Sequence, residues 1–445
     1  MKTIHEAAAA LRAGRTTPVE LVKQCLANID RCEEKVKAWV FIDRAGALAE
    51  AHARADEIKR FQVRGPLHGI PIAIKDIFDV FDWPTAAGSK LWSQSIARQD
   101  CEVVRRLREA GAIFLGKTVT TAYASFDPPV TRNPWNLSHT PGGSSSGSAA
   151  ALAVGMCLGA IGSQTGGSIN RPASYCGVQG LKPTYGLVSC DGVVPLAPSM
   201  DHPGPMGRSV RDLAIMLQVM AGFDGSTIQK PVPDYTALLS EDAAPPCLGR
   251  VRGLFEDLAE PAMQGMMVDV CAILTSGGLR PPLAEVALPS GFGTVIADHR
   301  VIMAVEAAAY HRLRVQRHPE DFPPRIRSLI DEGLACPAWE YERCLKQQQR
   351  LRQQMVQCLE HFDALIMPAT TSPAPPAETT GNPAFNSPWS FTGLPSLSLP
   401  TGHFADGLPL CVQLVGGWGR EASLLKAALW CEKALGVQPL DAIVA

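Results

Sequence analysis

The chain has 445 residues, 46% hydrophobic and 19% charged, with 41 Lys and Arg against 43 Asp and Glu for a formal net charge of −2. This is ordinary globular composition with apolar residues enough for a sizeable core, and interspersed charges without a basic stripe argue against direct nucleic-acid binding. Thirteen cysteines, an odd count with no CxxC pair, exclude zinc-type ligand spacing and argue against a disulfide framework, so reduced thiols packed as small hydrophobes are expected.

The first residues, MKTIHEAAAALRAG, carry Glu6 and only the apolar run AAAAL, unlike a signal peptide. The longest apolar stretch, Ala149 to Gly162, is mostly Ala and Gly and falls short of the ~18 residues of a spanning helix. A cytoplasmic protein with no membrane partner is expected. Thr17-Pro18-Val19-Glu20 is a capping box with proline at the first helical position, so a helix starts there, and Ala45 to Arg60 suits a second. Gly65 to Gly69 breaks the pattern. Ile70-Pro71-Ile72-Ala73-Ile74 then reads as a strand with Lys75-Asp76 at its end, where α/β proteins place chemistry.

Cys101 to Lys117 reads as helix, turn and strand. A Pro-marked loop (127–141), a Gly/Ser-dense stretch (142–148), a helix-like Ala149 to Leu158 and a strand-like Ala160-Ile161-Gly162 lead to a second Gly/Ser knot at 165–168. Residues 230–300 alternate strand-like and helix-like pieces, and Ala304 to Glu360 is helical in character. Beyond them come a strand (Ala364 to Met367), a Pro/Thr-rich loop (368–388), two more strands (Ser396 to Leu399, Leu410 to Val415) and a last helix, Glu421 to Leu435. Strands alternating with helices predict an α/β fold with a mixed or mostly parallel sheet. Without internal repeat or long linker, residues 1–445 are expected to form one unit, its catalytic core at about 65–215 completed by 361–435.

Three pieces concentrate chemistry: Lys75 at a strand end, Gly142-Gly143-Ser144-Ser145-Ser146-Gly147-Ser148, and Thr165-Gly166-Gly167-Ser168. Successive glycines ending in serine let backbone N–H groups converge on one point, as in an oxyanion or phosphate nest. Two other patterns mislead. Gly111 to Thr118 matches GxxxxGK[ST], but its interior, Ala112 to Leu115, is strand-like and cannot curl round a phosphate. Ser145 centres a GxSxG match preceded by the loop RNPWNLSHTPGG instead of a strand, and His202, His299, His311, His318, His361 and His403 carry no local signal of a triad partner. Cys176 is expected to be a packed thiol.

Taken together, GIPIAIKD (69–76), PGGSSSGSAAALAVG (141–155), GSQTGGSINRPASYCGVQGLKPTYGLVS (162–189), VVPLAPSMDHPGPMGRSVRDL (193–213), FTGLPSLSLPTG (391–402) and GLPLCVQLVG (407–416) closely resemble the amidase signature hydrolases. The resemblance implies that family's fold, a central mixed β-sheet flanked by helices. It implies Ser168 as nucleophile, Ser144 as a bridging serine after a cis peptide bond, Lys75 as base, and the N–H groups of Thr165, Gly166, Gly167 and Ser168 as oxyanion hole. A serine hydroxyl needs a base to take its proton, and a buried lysine can be neutral enough to do so. Ser144, both donor and acceptor, can relay the proton.

The implied activity is hydrolysis of linear amides or carbamates (urethanes) without a cofactor. Its partner would be a small-molecule substrate, with no nucleic acid bound directly and a homodimer allowed. The alternative is the glutaminase component of a tRNA-dependent amidotransferase, its A subunit, which works with a partner protein. Gly142, Gly143, Asp201, Met206 and Arg208 are candidate substrate contacts; Asp201, His202 and Arg208 lie in a Pro/Gly/Met loop expected to border the pocket, and Met206, Trp389 and Phe391 could wall an acyl pocket. Two positions depart from the family pattern: Gln164 stands where an acid is frequent, and Asn170 where arginine is, with Arg171 one residue later.

Overall fold

A computed structural model describes residues 2–222, 232–239, 244–279, 283–439 and 442. Its frame is a sheet of strands β1 (Trp39–Ile42), β2 (Pro71–Lys75), β3 (Ile113–Thr118), β4 (Gly159–Gln164), β5 (Gln179–Lys182), β6 (His202–Gly207), β7 (Leu248–Val251), β8 (Ala284–Val286), β9 (Ala364–Pro368), β10 (Ser396–Ala405) and β11 (Leu408–Val415). They pair in the order β1-β3-β2-β4-β6-β5-β10-β11-β9-β7-β8, so one sheet draws strands from most of the chain. Within the 230–300 stretch, residues 230–231, 240–243 and 280–282 lie outside the described residues.

Side-chain alternation in the central strands buries both faces. On one face Ile72 and Ile74 of β2, Phe114 of β3 and Ile161 of β4 pack with the helices Glu102–Glu109 and Val210–Met220. On the other, Ala73, Ile113, Leu115 and Ala160 meet the helices Pro18–Val36, Arg44–Lys59 and Ser146–Ala153. The first of these helices starts where its capping box sets it: Glu20 N–H donates to Thr17 Oγ1 at 3.2 Å and Thr17 N–H to Glu20 Oε2 at 2.9 Å. Long helices, Val295–Arg317, Pro324–Ala335 and Ala338–Cys358, form a layer whose first member reaches the sheet's active edge. Among the described residues no helix is long and apolar enough to cross a membrane.

The sheet is mixed, and a mostly parallel one is not what forms. β2 runs parallel to β3 and β4, and β7 to β8 and β9, while the pairs β1–β3, β4–β6, β5–β6, β5–β10, β10–β11 and β9–β11 are antiparallel. One cause was readable: Asp406 and Gly407 take positive φ of 52° and 76°, closing β10 onto β11 as a two-residue hairpin, the signature use of an Asp-Gly pair.

The Pro/Gly/Met stretch from Asp201 to Arg208 is not a pocket-bordering loop: His202–Gly207 is strand β6, clamped between β4 and β5. Met206 pairs with Ala160 and is fully buried in the core against the Ser146–Ala153 helix. Arg208 donates from Nε to Leu152 O at 2.9 Å and from Nη2 to Ala153 O at 3.0 Å, capping the carbonyl end of that helix.

The phosphate-loop look-alike is strand β3, and its Lys117 is buried with Asp76. Lys117 Nζ lies 2.9 Å from Asp76 Oδ1 and donates to Pro84 O at 2.9 Å and Thr85 Oγ1 at 3.1 Å. Burial pushes the Asp76 carboxyl up from its ordinary range, and Lys117 pulls it back. Lys117→Met strips the partner from a buried carboxylate, so the unfolding free energy in urea should fall by about 3–5 kcal/mol. A loss under ~1 kcal/mol would show that the pair is dispensable.

Candidate active site

The parallel strands β3, β2 and β4 end side by side, and the segments leaving their carboxyl ends build the site there. β2 ends on Lys75. β4 ends on Gln164 and runs straight into the Thr165–Ser168 turn. The Gly142–Ser148 knot arrives between them and opens the Ser146–Ala153 helix.

Each serine of that knot has its own task, and this singles out one of them. Ser145 Oγ exchanges hydrogen bonds with the backbone of Ser163, 3.3 Å to its carbonyl and 3.3 Å from its N–H. Ser146 Oγ donates to Gly142 O at 2.7 Å, and Ser148 Oγ to Ile161 O at 3.0 Å while also meeting Thr118 Oγ1 at 2.8 Å. Ser144 alone of the four faces the lysine: Lys75 Nζ donates to Ser144 Oγ at 2.8 Å. The Gly143–Ser144 peptide is cis, as the family resemblance implies. Gly143 itself leaves no room for a side chain, since a Cβ there would lie 2.9 Å from Thr380 Cγ2 and 3.0 Å from Thr121 Cγ2.

Lys75 is fully buried, and burial drives its pKa well below that of an ordinary lysine; the Asp201 carboxylate pulls the other way. Its second partner is Ser163, whose Oγ sits 2.8 Å from Nζ. Ser163 escaped the sequence reading, although its position two residues ahead of the Thr165–Ser168 turn, on the strand beside the lysine strand, was the available signal. Asp201 accepts from Thr165 Oγ1, from Leu196 N–H at 2.9 Å and from Ala197 N–H at 3.1 Å. Its carboxylate is therefore occupied in holding the start of the turn, a position beside the site with its oxygens already spent.

Ser168 closes the turn, with 7% of its surface open. Ser145 N–H donates to Ser168 O at 3.3 Å, which docks the two Gly/Ser knots on each other. The N–H groups of all four expected residues, Thr165, Gly166, Gly167 and Ser168, donate to no acceptor among the described residues, and those of Gly166, Gly167 and Ser168, within the turn, are available to an oxyanion. Gly167 is required by crowding: a Cβ would stand 2.6 Å from Asn386 Oδ1 and 3.0 Å from Arg171 Nη1.

The two departures from the family pattern have structural answers. Gln164 Oε1 accepts from Ile169 N–H and Asn170 N–H, both at 3.0 Å, and its Nε2 donates to Ser390 Oγ at 3.2 Å. An acid could accept the first two bonds but could not, when ionised, make the third. Asn170 donates to Ser396 Oγ at 2.6 Å and Gln413 Oε1 at 3.1 Å, tying the turn to β10 and β11. The cation one residue later, Arg171, is fully buried and donates from Nη2 to Gly143 O at 2.7 Å, directly behind the cis peptide. Burial lowers its pKa to about 10.

The remaining candidates fall outside the reacting groups. Met206 and Arg208 are spent in the core and on a helix end, as described above. Gly142 packs on Pro172, and its positive φ of 81° and the 2.8 Å approach of Pro172 Cα require glycine. Trp389, stacked on Phe255 at 5.6 Å, and Phe391 are fully buried. Cys176 is buried, donates to Pro141 O at 3.5 Å and has its pKa raised by burial, which makes it inert. Of the histidines, His202 Nδ1 lies 3.2 Å from Gln164 O, its pKa driven well below the usual value by burial. His299 Nε2 lies 2.9 Å from Thr165 O, and burial brings its pKa to about 4. Neither supplies a base to Ser145.

The family model described as Amidase matches residues 20–425. An amidase of Pseudomonas putida is 36% identical over 459 residues, covering 97% of this chain and 96% of that protein. The A subunit of the glutamyl-tRNA(Gln) amidotransferase of Desulfotalea psychrophila is 32% identical over 477 residues, covering 98% of each. Among solved structures, the native peptide amidase of Stenotrophomonas maltophilia superposes with a TM-score of 0.85 at 30% identity, covering 98% of this chain and 97% of that one.

Proposed function

The chain belongs to the amidase family of hydrolases acting on amide C–N bonds, and from that premise we propose that it cleaves its substrate through an acyl-enzyme on Ser168, with Ser144 and Lys75 carrying the proton. The observation that carries this reading is the buried Lys75 Nζ, 2.8 Å from Ser144 Oγ, in surroundings that favour its neutral form. A neutral amine accepts the proton that Ser144 passes on as Ser168 Oγ attacks the carbonyl carbon. The oxygen of the tetrahedral intermediate takes its charge against the free N–H groups of the turn. Collapse breaks the C–N bond, and the proton returns through Ser144 to the departing nitrogen. Water, deprotonated along the same path, then releases the acyl group and restores Ser168.

An amide leaves an ester on Ser168. A carbamate passes through the same oxyanion with the same nitrogen leaving group and leaves a carbonate, so we place both among the substrates; the partner in each case is a small molecule. The test is a panel of aryl amides, aliphatic amides, carbamates and esters, with glutamine included and ATP present or absent. Turnover of amides and carbamates, with esters also cleaved because they are the easier bond, is the expected result. Esterase activity with no amide or carbamate turned over would overturn the proposal. Glutamine as sole substrate, turned over only with a co-purified partner and ATP, would favour the glutaminase-subunit reading that the Desulfotalea relative raises.

A further inference from the structure

An oxyanion hole made of backbone N–H groups is only as good as the orientation of its peptides, and a trans peptide aims its N–H opposite to its C=O. Whatever holds the carbonyls of 165, 166 and 167 from behind therefore aims the N–H groups of Gly166, Gly167 and Ser168 forward. All three carbonyls are held. Gly167 O accepts from Arg171 N–H at 2.9 Å, a bond belonging to the next helix along the chain. Gly166 O accepts from Ser390 Oγ at 3.0 Å, and that hydroxyl is itself oriented by accepting from Gln164 Nε2 at 3.2 Å. Thr165 O accepts from His299 Nε2 at 2.9 Å.

Only the Arg171 anchor is local to the turn; Ser390, on the short helix Ser387–Thr392, and His299 both come from far along the chain. His299 sits on the Val295–Arg317 helix, in the helical layer, and no part of the proton path uses it. It is buried, and a Cβ on Gly166 would come within 3.7 Å of its Cε1, so the ring lies directly behind the first glycine. At about 4 its pKa keeps the ring neutral at working pH, with the one ring proton needed on Nε2 to donate to the carbonyl. Resting on the Ser168 acyl-enzyme reading, the geometry points to His299 as a positioning residue. It fixes the Thr165–Gly166 peptide so that Gly166 N–H meets the oxyanion, and it makes the helical layer a structural part of the catalytic turn.

The test compares His299→Leu, which keeps bulk and removes the donor, with His299→Gln, whose amide nitrogen reaches a similar point. Three quantities are read: kcat, KM, and the inhibition constant of a trifluoromethyl ketone, which binds as a tetrahedral oxyanion adduct. His299→Leu should lower kcat by about ten- to a hundredfold, less than outright loss of an oxyanion donor, with KM within about threefold. Ketone affinity should weaken by the same factor as kcat/KM, and His299→Gln should recover most of both. A packing role would show otherwise: kcat falling with ketone affinity intact, KM alone rising, or Gln performing no better than Leu. Each of these outcomes, or no change at all, overturns the assignment. If His299→Leu does not fold, His299→Gln must still hold near-native ketone affinity and Ser390→Ala must weaken kcat and ketone binding in step, or the proposal fails. Ser168→Ala runs alongside. Its retention of activity would remove the acyl-enzyme reading itself, whereas a dead Ser168→Ala beside an unaffected His299→Leu removes only the positioning role.

Discussion

Lys75→Ala should lower kcat/KM by about 10²–10⁴-fold, the contribution of a general base, and remove the acid-side inflection from the pH profile. At an ordinary lysine pKa near 10.4, about 0.1% of the side chain is neutral at pH 7.5, too little for an efficient base. Complete burial at the end of β2 lowers that pKa, because the interior penalises the ammonium and leaves the amine untouched. Asp201 works against this, but its own burial raises its pKa and its oxygens are engaged by Thr165, Leu196 and Ala197. The sign is fixed by these directions. As pH falls through the depressed pKa, Lys75 takes a proton, ceases to be a base and the rate drops; above it the rate reaches a plateau. The wild-type inflection should therefore lie well below that of a free lysine. A Lys75→Ala enzyme that folds, as judged by thermal unfolding, and keeps more than about a tenth of the activity would mean that another group takes the proton.

Ser168→Ala should cost at least about 10³-fold in kcat, and Ser144→Ala should come within about tenfold of it, since groups acting as one relay are strongly non-additive. The double variant should then be scarcely worse than either single one. Ser145→Ala is the internal comparison. Its hydroxyl exchanges two 3.3 Å bonds with the Ser163 backbone, and none with the lysine, so its loss should act mainly through stability. Steady-state kinetics on all four variants separates the cases. Comparable losses for Ser145→Ala and Ser144→Ala, in folded proteins, would contradict the division of labour within the knot.

How much of the molecule was legible in the sequence depends on the kind of signal. Short-range chemistry was legible. The capping box placed the helix at Pro18, the apolar run placed β2 and put Lys75 at its end, and the glycines of the two knots marked where backbone had to turn tightly. What failed was anything decided by distant pairing. The stretch from Asp201 to Arg208 is dense in Pro, Gly and Met and read as loop, but β4 and β5 capture His202–Gly207 between them, and this drew Met206 and Arg208 into structural tasks. A mixed sheet was expected, but of the antiparallel pairings only the β10–β11 hairpin at Asp406-Gly407 had a local signal that placed it. Within the site, Ser163 could have been suspected from its place beside the turn. His299 could not: a lone histidine on a helix shows nothing in sequence of the carbonyl it meets across more than a hundred residues.

The central claim is that the Thr165–Ser168 turn presents the activated hydroxyl, and covalent labelling addresses it most directly. A fluorophosphonate requires both a deprotonated nucleophile and an oxyanion site, so reactivity reports the assembled geometry and not mere exposure. Incubation, then protease digestion and peptide mapping, should place one adduct on Ser168, with activity lost in proportion to labelling and labelling slowed in Lys75→Ala. An adduct on Ser145, Ser163 or Cys176, with Ser168 unmodified while activity disappears, would contradict the account.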